Sequence, residues 1–231
     1  CVANNSTGSH SLQFGHMSNY GEAVEAILAD GSVVQFTNDL DPEQSQDDRV
    51  ASIARECLTV LSGKQAVINE AQPATKRNRS GYNIAGVCHN GRIDMARLLV
   101  GSEGTLAIFT RITLRTVPLP AAKGLLQLEF DSLDKMAQAV PAIVDSGAET
   151  CELMDKYLIE LALKALPEYR DILPAGAAAV LLVEHVGETQ QQVEQKIRQT
   201  DAVVGQLAAG RTVVLDPQAQ KRLWKSRKDA G

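Results

Sequence analysis

The sequence lacks the features that mark membrane-spanning and nucleic-acid-binding proteins. No apolar run approaches the roughly 18 to 20 residues that a membrane span needs. The 23 lysine and arginine residues are outnumbered by 28 acidic residues and form no dense basic stripe. Because binding to a phosphate backbone needs clustered cations, nucleic acid is not an expected partner. The net charge of -5 fits a small-molecule ligand better.

Cysteine is scarce and scattered. The four cysteines, Cys1, Cys57, Cys88 and Cys151, form no Cys-x-x-Cys pair. Without such pairs a metal knuckle or a short-loop disulfide framework lacks its usual signature, so we interpret them as reduced thiols of a cytoplasmic protein. The chain begins at Cys1 without Met and ends just after a basic helical pattern, and we expect it to be part of a longer protein.

Two common nucleotide-binding fingerprints are also missing. The sequence contains neither Gly-x-Gly-x-x-Gly after a strand pattern nor Gly-x-x-x-x-Gly-Lys-Ser/Thr, so a Rossmann fold or a P-loop has no sequence support. The 44% of hydrophobic residues can form one large core or two modest ones. We expect two domains, 1–119 and 120–231, because Pro118 and Pro120 end a predicted strand over 106–117 and proline cannot donate to a strand ladder.

The first half of the chain predicts a hairpin and a helix. Within residues 22–36, Asp30-Gly31 lies between two apolar runs and predicts a two-residue turn in which both central positions have positive φ. Asp47 is the expected N-cap of a helix, and a polar loop follows over 68–80. The apolar face of this helix comprises Val50, Ile53, Ala54, Cys57, Leu58 and Leu61.

The second half alternates strands and helices and predicts a small open-faced α/β sandwich. The predicted elements are a strand over 125–130, a helix at about 132–146, a strand at about 149–153, a helix that contains Tyr157, Leu158 and Leu161, a strand over 179–185, a helix that opens with the capping box Thr189-x-x-Gln192, and a strand over 212–215.

Two loops of small residues carry the strongest chemical signal. Gly101 and Gly104 bracket Ser102 and Glu103 between two apolar runs, and residues 4–9 combine amides, hydroxyls and a glycine. Bare backbone and small polar side chains can offer hydrogen-bond donors to an anion or a polar ring. Each loop also has a simpler interpretation: a tight turn before a buried strand for the first, and a solvated surface loop for the second.

The order of these segments resembles the FAD-binding (PCMH-type) domain of the vanillyl-alcohol oxidase superfamily. The segments are ANNSTGSHSLQFG, LADGSVV, SGYNIAG and LLVGSEGTLAIFTRITLRTVPLP, and they are most similar to the branch that contains glycolate oxidase, D-lactate dehydrogenase and D-2-hydroxyglutarate dehydrogenase. The resemblance implies an α+β fold: the second subdomain of the FAD-binding domain over 1–119, then part of a ferredoxin-like α/β cap domain that holds the substrate. An insert at about 38–79 and the segment GVCHNGRIDMARLLVGSEGTLA resemble a bacterial subgroup that has a fused iron–sulfur domain. This chain does not contain the cysteine-rich motifs of that domain.

The resemblance also implies which residues bind the cofactor. The family's first loop has an Asn-Ala-Gly-Gly core and ends in Tyr-Gly; here Asn5, Gly8 and Phe14-Gly15 correspond, and Ser6-Thr7 departs from it. The implied FAD-binding residues are Asn5, Ser6, Thr7, Gly8, Ser9, Gly81, Tyr82, Ser102, Glu103, Gly104, Ala107 and Ile108.

For the substrate, the segment LWKSR resembles a Leu-Trp-x-x-Arg motif whose arginine binds a carboxylate, which implies that role for Arg227. A solvated basic helix face is the simpler interpretation. Gly231 lies where relatives can carry a substrate-binding threonine, so no contact is expected from it. His10 either touches the cofactor or faces water, and His185 beside Glu184 lacks a third ligand for a metal. In relatives the catalytic histidines lie further downstream, so we expect no catalytic residue and no metal site in this chain.

The resemblance therefore implies an FAD-dependent dehydrogenase that oxidises D-lactate, glycolate or D-2-hydroxyglutarate by hydride transfer from C2 to flavin N5. Electrons would pass to iron–sulfur clusters or a quinone-linked acceptor. Association of the protein with further copies of itself, as a homo-oligomer, also stays open. The expected location is the cytoplasm, with peripheral attachment to the inner membrane as an alternative. Two other functions stay open: an oxidase of a sugar or alcohol in the same superfamily, and a non-catalytic scaffold subunit of a flavoprotein complex.

Overall fold

The computed structural model describes residues 1–75, 78 and 80–229. Their contacts group into two compact units: Cys1–Gly8 with Gly15–Val117, and Ser9–Phe14 with Pro118 and the residues after it. The predicted domain boundary, after residue 119, lies two residues beyond the end of the first unit. In this described part of the chain, every helix is too short or insufficiently apolar to cross a membrane.

Helices and strands alternate along most of the chain. In chain order they are α1 (Ser11–Phe14), β1 (Gly21–Ile27), β2 (Val33–Thr37), α2 (Asp48–Leu61), α3 (Gln65–Glu70), β3 (Cys88–His89), β4 (Arg92–Ile93), α4 (Met95–Leu99), β5 (Ile108–Leu114), β6 (Ala122–Phe130), α5 (Leu133–Asp145), β7 (Thr150–Asp155), α6 (Lys156–Ala165), β8 (Ala179–Gly187), α7 (Gln190–Val204), β9 (Gly210–Val214) and α8 (Pro217–Asp229). Single turns of 3-10 helix lie at Met17–Asn19, Ser62–Lys64, Pro167–Tyr169 and Gly205–Leu207.

The predicted hairpin is present, but its turn differs from the expected one. β1 and β2 pair antiparallel. The Leu28 N–H donates to Ser32 O at 2.9 Å and the Gly31 N–H donates to Leu28 O at 2.9 Å, so three residues form the loop. Among these loop residues, Gly31 alone has positive φ, at 83°, and the Asp30 carboxylate accepts from the Ser32 N–H. This is a type I turn closed by a glycine bulge, and the predicted two-residue turn is wrong.

The first unit is built on a three-stranded antiparallel sheet with the order β2-β1-β5. Val24 of β1 and Phe36 of β2 are paired residues on its buried face, where α2 and α4 pack against them. The strand predicted over 106–117 is present as the shorter β5. Residues 100–107 therefore run from the buried end of α4 to the start of β5. Since β5 has no buried residue, the simpler interpretation of this loop as a turn before a buried strand is wrong about the strand.

The polar segment after α2 is partly helical. The loop predicted over 68–80 begins later than expected, because α3 continues to Glu70 and buries Ile68. The side-chain amide of Gln72 donates to Ile68 O at 3.1 Å and extends the end of this helix. The insert predicted at 38–79 ends with positions that lie outside the described residues. Gly231 also lies outside the described residues.

The predicted N-cap of α2 is confirmed. The Asp47 carboxylate accepts from the Arg49 N–H at 2.9 Å and from the Val50 N–H at 3.1 Å. Helix α2 buries Val50 and Ala54 against the first unit's sheet, so its anchoring contributes to the core.

Replacing Asp47 with alanine is expected to destabilise the first unit by about 1 kcal/mol, because two N–H groups lose their acceptor. The measurement is the urea midpoint of the purified polypeptide. Asp47→Asn is the matched control, since asparagine caps helices about as well, and it should keep the midpoint. Equal midpoints for Asp47→Ala and the parent protein would contradict the assignment.

The second unit is a four-stranded antiparallel sheet with the order β7-β8-β6-β9. Numbered within the unit, this is 2-3-1-4, the order of a ferredoxin-like β-α-β-β-α-β fold, here with α6 added between its second and third strands. All the strands and helices predicted after residue 120 are present. The Thr189 side chain accepts from the Gln192 N–H at 3.2 Å, but the Gln192 side chain returns to the Glu188 N–H, one residue before the capping-box partner.

Both faces of this sheet are covered, so the expectation of an open-faced sandwich is wrong. Helices α5 and α7 pack on the face that contains Leu126 and Leu181. Helices α6 and α8 pack on the other face, which contains Leu125 and Leu182. The continuous apolar run of β8 is typical of a strand buried on both faces, and it is the sequence signal that predicts this outcome.

A buried polar chain ties α5 and α7 to the central strand β8. His185 is fully buried, and its Nε2 lies 2.7 Å from the Thr200 hydroxyl, which lies 2.7 Å from the Ser146 hydroxyl. Burial, together with a smaller effect of the nearby Lys196 ammonium, lowers the pKa of His185 to about 4. The imidazole is therefore neutral in the folded protein at neutral pH.

We expect this histidine to make the fold less stable in mild acid. Below its ordinary pKa of 6.5 the unfolded chain binds a proton that the folded chain does not bind until about pH 4, so stability falls as pH falls between these values. The loss from this one group is about 3 kcal/mol. Urea unfolding of the parent protein and of His185→Gln between pH 7 and 4 measures it; glutamine can still donate to Thr200 but cannot titrate. Parallel pH dependences for the two proteins would contradict the prediction.

Candidate functional site

The two loops singled out in the sequence lie side by side in the first unit. The Gly101 N–H donates to Val2 O at 3.1 Å, and the Glu103 N–H donates to Ala3 O at 2.9 Å. Backbone hydrogen bonds therefore join residues 2 and 3, next to the N-terminal loop, to the loop between α4 and β5, from which they are separated by about a hundred residues in the sequence.

Asn5 holds this pair of loops together. Its side chain is 3% exposed, its Oδ1 accepts from the Ser18 N–H at 2.9 Å, and its Nδ2 lies 3.4 Å from Asn83 Oδ1. The Asn83 amide donates in turn to Val100 O. A Cβ on Gly101 would lie 3.0 Å from the Cβ of Asn5, so glycine is needed there for this close approach. Asn5 therefore orders the loops from inside and does not present its amide to solvent.

The outer edge of the second loop exposes main chain. Glu103 and Gly104 both have positive φ, at 52° and 80°, and a Cβ on Gly104 would meet nothing within 4 Å. The Thr105 hydroxyl lies 2.8 Å from the Tyr82 hydroxyl, which joins this edge to the SGYNIAG segment. Ile108 is 66% exposed at the start of β5. The result is an open rim of main chain, one phenol, the Glu103 carboxylate and two aliphatic side chains.

The other predicted cofactor residues occupy different environments. Ser102 and Ala107 are buried, Ser6 and Thr7 are half-buried, and Gly8 and Gly81 are exposed. Ser9 is half-buried and groups with the second unit. The Ser102 hydroxyl makes no hydrogen bond to a described residue. The structure thus brings residues 5–8, 81, 82 and 102–108 to one part of the first unit, with only some of them accessible.

A cavity of about 140 Å³ lies beside Asn5. Polar side chains line most of it, and they include Tyr82, Asn83 and Arg97. The Nε of Arg97 is buried and has no hydrogen-bond partner among the described residues, which is unusual for a buried N–H. Sequence reasoning missed Arg97, although a charged residue inside the apolar run of α4 is a signal that could have identified it.

In the second unit, Arg227 lies on α8 and contacts β7. Its Nη2 donates to Glu152 Oε2 at 3.4 Å, and the side chain is 31% exposed. Its Nε is buried without a partner among residues that the structure describes. The guanidinium is therefore half-buried and oriented by a carboxylate that the sequence did not identify, and its Nη1 has no bond to a described residue. The simpler interpretation, in which Arg227 is part of a solvated basic helix face, therefore does not fit its environment.

Glu184 and His185 face opposite sides of the sheet and cannot share a ligand. Glu184 Oε1 lies 2.8 Å from His10 Nε2, and its Oε2 accepts from Trp224 Nε1 at 3.1 Å. Nearby, burial raises the pKa of Glu149. Within residues 1–75, 78 and 80–229, no group of three or more His, Cys, Asp and Glu side chains is arranged to hold a metal ion.

Comparison with known proteins gives these features a context. Residues 119–231 match the family described as FAD linked oxidases, C-terminal domain. The chain is similar to D-2-hydroxyglutarate dehydrogenase of Escherichia coli K12, with 23% identity over 90% of this chain and 22% of that protein. It is also similar to glycolate oxidase subunit GlcD of Bacillus subtilis 168, with 28% identity over 90% of this chain and 35% of that protein.

Among solved structures, alkyldihydroxyacetonephosphate synthase matches 97% of this chain and 35% of its own, with a TM-score of 0.52 and 14% identity, which shows a shared fold. The chain spans about a fifth to a third of the relatives' lengths. The second unit and the sequence match cover nearly the same residues, from 118 and from 119 onward. Residues 119–231 are therefore similar to the C-terminal domain of the FAD linked oxidases.

Proposed function

We propose that the chain supplies one wall of a flavin site and the substrate cap of an FAD-dependent dehydrogenase that oxidises a D-2-hydroxy acid. The observation that carries the proposal is the backbone pairing of residues 2 and 3, next to the N-terminal loop, with the loop that contains Gly101 and Gly104, in a chain whose residues 119–231 match the FAD linked oxidases. The similar proteins named above are a dehydrogenase of D-2-hydroxyglutarate and a glycolate oxidase subunit. Both substrates carry a hydroxyl group next to a carboxylate.

The first unit has donors that fit FAD. Open space lies where a side chain of Gly104 would project, so a flat ring can lie against the main chain there. Arg97 lines the adjacent cavity, and a guanidinium fits a phosphate or carbonyl oxygen of the cofactor. When bound, FAD supplies the redox chemistry by accepting a hydride from the substrate carbon.

The second unit's own contribution is substrate orientation. Arg227 binds the substrate carboxylate through its guanidinium, and Glu152 holds the guanidinium in place. The proton acceptor for the hydroxyl group and the electron acceptor, an iron–sulfur domain or a quinone-linked carrier, lie outside this chain. A cytoplasmic location, with or without peripheral attachment to the inner membrane, is compatible with this role.

The test uses the polypeptide that contains this chain. Flavin is released by denaturation and quantified by absorbance, and dye-linked turnover is measured with D-lactate, glycolate, D-2-hydroxyglutarate, a sugar and a primary alcohol. Flavin with turnover of one of the three hydroxy acids supports the proposal. Turnover of the sugar or the alcohol alone would assign a different oxidase, flavin without any turnover would indicate a scaffold subunit, and absence of flavin would refute the proposal.

A further inference from the structure

Helix α8 is joined to the sheet of the second unit by two hydrogen bonds from one side of the helix. Trp224 Nε1 donates to Glu184 Oε2 at 3.1 Å. Arg227 Nη2 donates to Glu152 Oε2 at 3.4 Å. Trp224 and Arg227 are three positions apart, so their side chains leave α8 on the same side. The arginine that is proposed to bind the substrate carboxylate therefore shares one turn of helix with a second polar contact to the sheet.

The two acceptors lie on neighbouring strands. Glu184 of β8 is paired with Thr150 of β7, and Glu152 follows Thr150 by two residues on β7. Paired residues point to the same face of a sheet, and so do residues two apart along a strand. Both carboxylates therefore lie on the face that α8 covers, and one turn of this helix contacts two adjacent strands.

The contact at Glu184 is the firmer of the two. Glu184 is 3% exposed, and its Oε1 lies 2.8 Å from Nε2 of His10, which also belongs to the second unit, and 3.8 Å from Lys123 Nζ. Because both of its oxygens have partners, the direction of this carboxylate is fixed. Glu152 is 22% exposed, and its bond to Arg227 is long for a hydrogen bond, so it restrains the arginine less.

Apolar packing alone does not fix the direction of Arg227. Leu223 is 3% exposed and packs in the core beneath α8, so it decides which side of the helix faces the sheet. Apolar contacts are not directional, whereas a hydrogen bond to a charged acceptor weakens when its donor turns away. The bond from Trp224 to Glu184 therefore limits rotation of α8 about its axis, and such a rotation would displace the Arg227 guanidinium.

We propose that Glu184 is a positioning residue for Arg227: by accepting from the Trp224 indole, it fixes the turn of α8 that presents the guanidinium to the substrate carboxylate. This inference rests on the proposed function and deepens its account of the second unit. Glu184 acts through Trp224 and needs no contact with substrate or flavin. All three residues belong to the second unit.

Four variants isolate this hydrogen bond. Trp224→Phe keeps an aromatic ring and removes the donor, and Glu184→Met keeps a side chain of similar length and removes the acceptor. Glu184→Gln is the conservative variant, because its amide oxygen can accept from the indole while its amide nitrogen faces His10 Nε2. Arg222→Ala is the matched control, since it breaks an exposed ion pair between α8 and Asp171.

The measurement is kcat/KM of the polypeptide that contains this chain, with whichever of D-lactate, glycolate and D-2-hydroxyglutarate it oxidises fastest. Enzyme concentration is taken from bound flavin, so loss of folded protein does not enter the value. Trp224→Phe and Glu184→Met should each lower kcat/KM about tenfold, the effect of one hydrogen bond to a charged group. The double variant should also lose about tenfold, because both changes remove the same bond. Glu184→Gln and Arg222→Ala should stay within about threefold of the parent protein.

The outcomes distinguish this inference from the function on which it rests. A parent protein that oxidises none of the three acids would refute the proposed function and, with it, the role of Glu184. With an active parent, unchanged kcat/KM in Trp224→Phe would overturn the role of Glu184 alone, and this variant decides even if Glu184→Met does not fold. The role would also be overturned by a hundredfold loss in the double variant, by a tenfold loss in Arg222→Ala, or by a tenfold loss in Glu184→Gln.

Discussion

Replacing Arg227 with lysine is expected to lower kcat/KM for the 2-hydroxy acid by about a hundredfold or more, the effect of losing a carboxylate partner in a partly desolvated site. The Arg227 guanidinium is held at one end by Glu152 and leaves Nη1 without a partner among the residues described. A lysine at this position supplies a single ammonium and cannot hold Glu152 and the substrate with a planar fork. Steady-state kinetics with the preferred hydroxy acid measures the change.

Arg222→Lys is the matched control for this prediction. Arg222 lies on the same helix, α8, and forms an exposed ion pair with Asp171, so its replacement should leave kcat/KM close to that of the parent protein. Unchanged kcat/KM in Arg227→Lys would remove Arg227 from the substrate site. An equal loss in both variants would show that α8 responds to any change of its arginines and would also contradict a specific role for Arg227.

Replacing Gly104 with valine should remove most of the bound flavin, to less than about a tenth of the parent's content. Two effects combine: at φ 80° a β-branched residue costs on the order of 1 to 3 kcal/mol, and its side chain projects into the open space where the cofactor is proposed to lie. The measurement is the ratio of flavin to protein after purification, together with the absorption spectrum.

Gly31→Val separates the two effects. Gly31 has nearly the same φ, 83°, and equally open surroundings, but it lies in the β1–β2 turn. Valine there carries a similar backbone cost and should leave the flavin content unchanged. If Gly31→Val loses as much flavin as Gly104→Val, backbone strain accounts for the loss and the proposed contact with the cofactor is wrong.

Many local features of this fold can be predicted from short stretches of sequence. The residue pattern identifies Asp47 and Thr189 as caps, and it predicts the alternation of strands and helices after residue 120 correctly. These features depend on hydrogen bonds and side-chain periodicity within about four residues, which a linear sequence contains. The hairpin is found for the same reason, but its turn is mistaken because the side chain of Asp30 makes a local bond that a two-residue turn does not accommodate.

The partners of the functional side chains were decided by the tertiary structure. His10 and Glu184 are separated by 174 positions, and Arg227 and Glu152 by 75. Composition and spacing located the glycine loops and excluded a membrane span and a dense basic surface, and the resemblance of the segment LWKSR to a family motif implied Arg227. The sequence could not show that Asn5 points inward, that Arg97 has a buried N–H with no partner among the described residues, or that α6 and α8 cover the second face of the sheet. Contacts of this kind depend on the order and register of strands, which bring distant residues together only after the chain has folded.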